Sequence, residues 1–109
     1  MATGRLGSYA LSATTLYSPY HVNTGYYAVF NVSITNTNSN AVTIRLAMST
    51  ATTSGSIAAA DYIEYDTTII GKGVFERTGL VAQADMYIWV YSSAANVNVN
   101  IYGIETSTT

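Results

Sequence analysis

Apolar and polar side chains alternate with a period of two along most of this sequence, and the 3.6-residue spacing of an amphipathic helix is almost absent. The clearest run begins at Gly25, where Ala28, Phe30, Val32 and Ile34 share one face and Tyr27, Val29, Asn31 and Ser33 share the other. A polar turn, Asn36 to Asn40, separates it from a second run in which Val42, Ile44, Leu46 and Met48 point inward and Arg45 outward. Together these predict a β-hairpin. Asp61 to Ile70 reads as a further strand, with Ile63, Tyr65 and Ile69 set against Glu64 and Asp66. Gly71, Lys72 and Gly73 turn the chain, and Val74 to Leu80 returns, with Gly79 marking a bulge. Upstream, Gly4 to Ala13 and Thr14 to Ser18 predict two short strands, the second ended by Pro19. Ala51 to Ala60 is small, uncharged and glycine-interrupted, so it is expected as a loop with one helical turn at Ile57 to Ala60.

The stretch from Asp85 to Glu105 organises the rest. Met86, Ile88 and Val90 point one way and Tyr87, Trp89 and Tyr91 the other, so this strand is apolar on both faces. Val97, Val99 and Ile101 then alternate with Asn98, Asn100 and Tyr102, which predicts a closing hairpin. About eight strands at a spacing of roughly ten residues call for two antiparallel sheets packed face to face. The expectation is all-β: a single-domain antiparallel β-sandwich over residues 1–109 with short polar terminal arms, jelly-roll or immunoglobulin-like in topology.

Composition bears on what such a sandwich is for. Only 9% of its residues are charged, against roughly 25% in soluble domains generally. A surface so poor in charge is expected to be largely occupied by other chains, so a homo-oligomer is predicted. Four basic residues, at positions 5, 45, 72 and 77, and a net charge of -2 give no footprint for nucleic acid. Cysteine is absent, which excludes disulfides and thiolate metal sites. No apolar run is long enough for a membrane span, and the opening MATGRLGSYA lacks the apolar core of a signal peptide. The protein is therefore expected to be made in the cytosol and to reach its destination by assembly or lysis.

Candidate chemistry is sparse. His21, the only histidine, follows Pro19 and Tyr20 in an expected loop with no second ligand or carboxylate pair beside it. Asp61, Glu64 and Asp66 form the densest acidic cluster, but they lack the glycine turn and ligand count of a calcium loop. Pairing with Arg45, Lys72 or Arg77 across neighbouring strands is the ordinary expectation. No cofactor, metal or catalytic residue is predicted. Asn31-Val32-Ser33 matches a glycosylation sequon but lies mid-strand and is set aside. The row Tyr87, Trp89 and Tyr91 has three readings: packing on the protein's own second sheet or the Ala51 to Ala60 loop, a contact with another subunit, or a stacking platform for sugars. Tyr17, Tyr20, Tyr26 and Tyr27 crowd a second region with the same ambiguity.

The opening MATGRLGSYALSA, the central TIRLAMST and DYIEYDTTIIGKGVFERTGLVAQADMYIWVYSS, and the closing VNVNIYGIE resemble small virion structural proteins of tailed bacteriophages, particularly those of cyanobacterial hosts. The resemblance spans nearly the whole chain and carries no catalytic signature. It implies a non-enzymatic part of the virus particle present in many copies, with the major capsid protein or other virion proteins as partners. A capsid decoration, or cement, protein is the first expectation. Tyr87, Trp89 and Tyr91 are then expected to contact other chains, and the termini around Arg5 and Thr106 to grip neighbours. A tail, baseplate or fibre component, or a carbohydrate-binding adhesion module using the aromatic row, is the alternative.

Overall fold

The computed structural model describes residues 3–108, and within them the chain forms eight strands. They are β1 (Thr3–Leu11), β2 (Tyr17–His21), β3 (Tyr26–Asn36), β4 (Val42–Ser49), β5 (Tyr62–Ile69), β6 (Val74–Ala82), β7 (Tyr87–Ser92) and β8 (Val97–Ser107). Two single turns of 3-10 helix, Ser54–Ser56 and Ala59–Asp61, lie in the connection between β4 and β5. The strands pair antiparallel into two four-stranded sheets, sheet A in the order β1-β8-β3-β6 and sheet B in the order β2-β7-β4-β5. This is the order of a jelly roll, two Greek keys folded together. An immunoglobulin sandwich would instead pair the first strand with the second.

The predicted alternation is realised in the core. Ala28, Phe30, Val32 and Ile34 from sheet A face Ile44, Leu46, Ile88 and Val90 from sheet B, all essentially excluded from solvent, and Val97, Val99 and Ile101 complete the layer. Burying each of the larger aliphatic side chains stabilises the fold by on the order of 2 kcal/mol. The longest ladder joins β3 and β8, from Tyr26 opposite Ser107 to Asn36 opposite Val97.

The two predicted hairpins are corrected, and the return after Gly71 to Gly73 follows the same rule. β3 and β4, β5 and β6, and β7 and β8 each follow one another closely, yet the members of each pair belong to different sheets. Their apolar faces meet across the sandwich and their backbones do not pair. Turn residues mark where a chain reverses, but a reversal can cross the sandwich as readily as extend a sheet. Of strands consecutive in sequence, β4 and β5 pair with each other.

The crossing loops meet at one end. Thr37 N–H donates to the Asn96 carbonyl at 3.0 Å and Lys72 N–H to the Asn38 carbonyl at 2.9 Å. Asn36, fully buried, donates through Nδ2 to the carbonyls of Asn40, Ile69 and Ile70 and accepts through Oδ1 from Asn38 N–H. The asparagine turn thus organises two loops as well as its own. Gly71 lies so close to the Ser39 carbonyl that a Cβ there would collide with it.

Local expectations fare differently. Gly79 takes φ +70 at a register shift opposite Phe30 and Val32, the expected bulge, and its N–H donates to Asn31 Oδ1 at 3.0 Å. Pro19 does not end a strand; it lies inside β2, an edge strand whose register slips between Tyr17 and Tyr20, where a missing donor is tolerated. His21 is the last residue of β2, opposite Tyr87, and not in a loop. Arg5 and Thr106 likewise lie within β1 and β8, opposite Tyr102 and Tyr27, and not on free arms. Met1, Ala2 and Thr109, the outermost positions of the expected arms, are outside the described residues.

Candidate functional site

Two surfaces compete for function, the outer faces of the two sheets. On sheet B, the positions that alternate with buried Ile88 and Val90 carry Tyr87, Trp89 and Tyr91 outward. Trp89 is nevertheless only 7% exposed, and its indole N–H donates to the carbonyl of Ala51, at the start of the β4–β5 connection, at 3.3 Å. Ala47, its partner across the β4–β7 ladder, is fully buried on the same side. Tyr87 stacks on Trp89 at 6.2 Å and on His21 at 4.5 Å. The surface that Trp89 offered to another subunit or to a sugar is therefore occupied by its own chain. Tyr87 and Tyr91 stay half-buried at its margins.

Arg45 fills the other half of this face. Its guanidinium lies 4.2 Å from the ring centre of Tyr65 and 4.5 Å from that of Tyr91, and its Nε donates to Asp66 at 2.7 Å. The bond to Asp66, ahead of the opposing cost of desolvation, raises the Arg45 pKa further, so this cation is fixed. Asp66 has φ 54 at a slip in the β4–β5 register, and the slip separates the acidic pair. Asp66 reaches Arg45 on the outer face, while Glu64 reaches Arg77 on β6 and accepts from Thr67 Oγ1 at 2.7 Å. The expected pairing holds for Asp66 with Arg45 and Glu64 with Arg77, whereas Asp61 accepts from Ala58 N–H at 3.1 Å and Lys72 donates to the Thr37 carbonyl at 2.9 Å. The Glu64–Arg77 pair also joins the two sheets along one side of the sandwich; Tyr9 and Tyr17, stacked at 3.7 Å, join them along the other.

Beside Tyr65 an open cleft of about 560 Å³ is lined by Ile57, Ala59, Tyr62 and Tyr65, the two rings perpendicular at 5.1 Å. Among the described residues, no three of His, Asp and Glu gather as metal ligands would. The interior holds one carboxylate of note: Glu105, 7% exposed, accepts from Tyr20 Oη at 2.9 Å across the two sheets. Burial first, and then that bond, push the Tyr20 pKa well above the ordinary phenol value.

Among the described residues, the outer face of sheet A is left more open. The ladders β1–β8, β8–β3 and β3–β6 set Thr3, Ile104, Val29 and Val81 side by side in one row across all four strands. Ile104 is 51%, Val29 44% and Val81 58% exposed, and Tyr27 is exposed in the adjoining row opposite Thr106. The next rows are polar: Arg5, Tyr102 and Asn31, then Ser8, Asn100, Ser33 and Glu76. Tyr102 Oη donates to Glu76 at 2.9 Å along this face. The sequence carried each outward apolar position singly, but only the register between β8, β3 and β6 brings them into one row. The chain matches no known protein family, no curated protein and no solved structure.

Proposed function

We propose that the protein is a non-enzymatic structural subunit of a virus particle, a capsid decoration protein that associates with other copies and reinforces the shell. The observation that carries this reading is the uncovered apolar row Ile104, Val29 and Val81 in a chain of 9% charge. Large apolar side chains gathered on a flat sheet face, with so few charges to keep the chain apart from its neighbours, favour a subunit of an assembly. The phrase-by-phrase resemblance to bacteriophage virion proteins supports the same conclusion. So does the jelly roll, by analogy only, since capsid subunits share it with lectins and cupins.

Particles assembled without this chain test the reading. They are expected to form, to lack a regularly repeated protein of 11.6 kDa, and to release their genome at lower temperature than complete particles. Unchanged heat resistance, or loss of tails instead, would overturn the decoration role. The cleft between Tyr62 and Tyr65 favours one second reading, a glycan-binding adhesion module. Glycan-array binding lost on Tyr65→Ala, with assembly intact, would select it.

A further inference from the structure

We infer that the outer face of sheet A binds a second copy of this chain, as an isologous dimer whose two-fold axis runs parallel to the strands. The inference rests on the proposed reading of the chain as an assembling subunit and names the surface and the partner. The order of sheet A, β1-β8-β3-β6, is what makes the face self-complementary. A two-fold axis along the strands, between β8 and β3, reverses that order, so β8 of one copy faces β3 of the other and β1 faces β6. Residues keep their height along the axis. Ile104 then faces the second copy's Val29, and Thr3 faces Val81, so the apolar row covers itself.

The charges on this face obey the same symmetry. Arg5 lies on β1, and its Nη1 donates to Ser8 Oγ at 3.3 Å, which carries the guanidinium toward the row of Ser8, Asn100, Ser33 and Glu76. Glu76 occupies that row on β6, the strand that faces β1 in the pair. Each copy's Arg5 thus meets the other's Glu76, giving two ion pairs flanking the apolar centre. On sheet B, among the described residues, the middle of the outer face is already closed: Trp89 is buried and Arg45 lies over Tyr65 and Tyr91.

Four strands about 4.8 Å apart and four ladder rows about 7 Å apart give a footprint of about 500 Å² per copy. The total of about 1,000 Å² sits at the lower bound for specific interfaces, so the isolated pair is reversible and concentration-dependent. In a particle, fixed high local concentration compensates for that weakness.

Sedimentation equilibrium of the whole chain from micromolar to millimolar concentration tests this. A monomer–dimer equilibrium is expected. Arg5→Glu and Glu76→Arg, both at exposed positions, should each weaken it at least tenfold by setting like charges against each other twice. Mixed together, the two variants should form a heterodimer seen as a 1:1 mass by native mass spectrometry, because both contacts are then opposite-charge pairs, one in the wild-type sense and one with its signs exchanged. Val29→Asp should also abolish the dimer while leaving the circular dichroism spectrum unchanged. A protein monomeric throughout, or single variants that associate like the wild type, or no heterodimer on mixing, would overturn the inference. Dimerisation untouched by all three variants would overturn this surface and leave an assembling subunit standing. A chain missing from the virus particle would instead sink the virion reading and leave the dimer result unaffected.

Discussion

Replacing Trp89 with alanine tests whether the aromatic row is packing or contact surface. The indole is 7% exposed and bonded to the Ala51 carbonyl, so its burial belongs to the folding of one chain. A tryptophan in such a site removes about 200 Å² from water, which at about 25 cal/mol per Å² stabilises the fold by about 5 kcal/mol as an upper value. Cavity-forming replacements of this kind cost about 3–5 kcal/mol in practice. Against a total stability of roughly 5–15 kcal/mol, Trp89→Ala should remove from about a fifth to all of it. Trp89→Phe keeps most of the ring but drops the bond to the Ala51 carbonyl, and should cost about 1–2 kcal/mol. Urea unfolding followed by circular dichroism measures both, with the midpoint falling and the slope unchanged. Trp89 is the sole tryptophan, so its fluorescence gives an independent reading: blue-shifted, resistant to acrylamide and constant as protein concentration rises. A cost below about 1 kcal/mol for Trp89→Ala, or emission that shifts as copies associate, would make the indole a contact surface instead.

Gly71→Ala should lower stability by about 2 kcal/mol or more, because its Cβ would collide with the Ser39 carbonyl, whereas Gly55→Ala, with open space around it, should change the melting temperature little. Asn36→Leu should cost about 2–3 kcal/mol and loosen the crossing loops together, read as faster hydrogen exchange at Thr37 and Lys72. The Tyr20 pKa is raised by folding, so the stability it contributes is fully present below the unfolded phenol value of about 10 and is lost as pH climbs beyond it. The wild type should therefore lose melting temperature more steeply than Tyr20→Phe above about pH 10, and parallel curves would contradict the assignment.

The inward half of the fold was legible because period-two alternation needs no knowledge of partners. Ala28, Phe30, Val32 and Ile34 had to share a face whichever strand lay beside them, and all are buried. Pairing was not legible. The turn residues at Asn36 to Asn40, at Gly71 to Gly73 and before Val97 mark reversals, and whether a reversal stays in its sheet depends on long-range packing. Pro19 misled for a related reason: its cost depends on whether a neighbour needs its N–H, and on an edge strand none need do so. The aromatic row drew attention as the most apolar outward set, yet Trp89 is buried and its indole bonds to Ala51, in a segment of small residues with no pattern of its own. Val29, Val81 and Ile104 lie far apart in sequence and become one surface only once the register is known.

A reconstruction of the complete virus particle tests the central claim most directly. Many copies of this jelly roll are expected on the capsid exterior, with the face bearing Val29, Val81 and Ile104 closed against another copy. Density confined to the tail, or isolated copies with that face open to solvent, would contradict it.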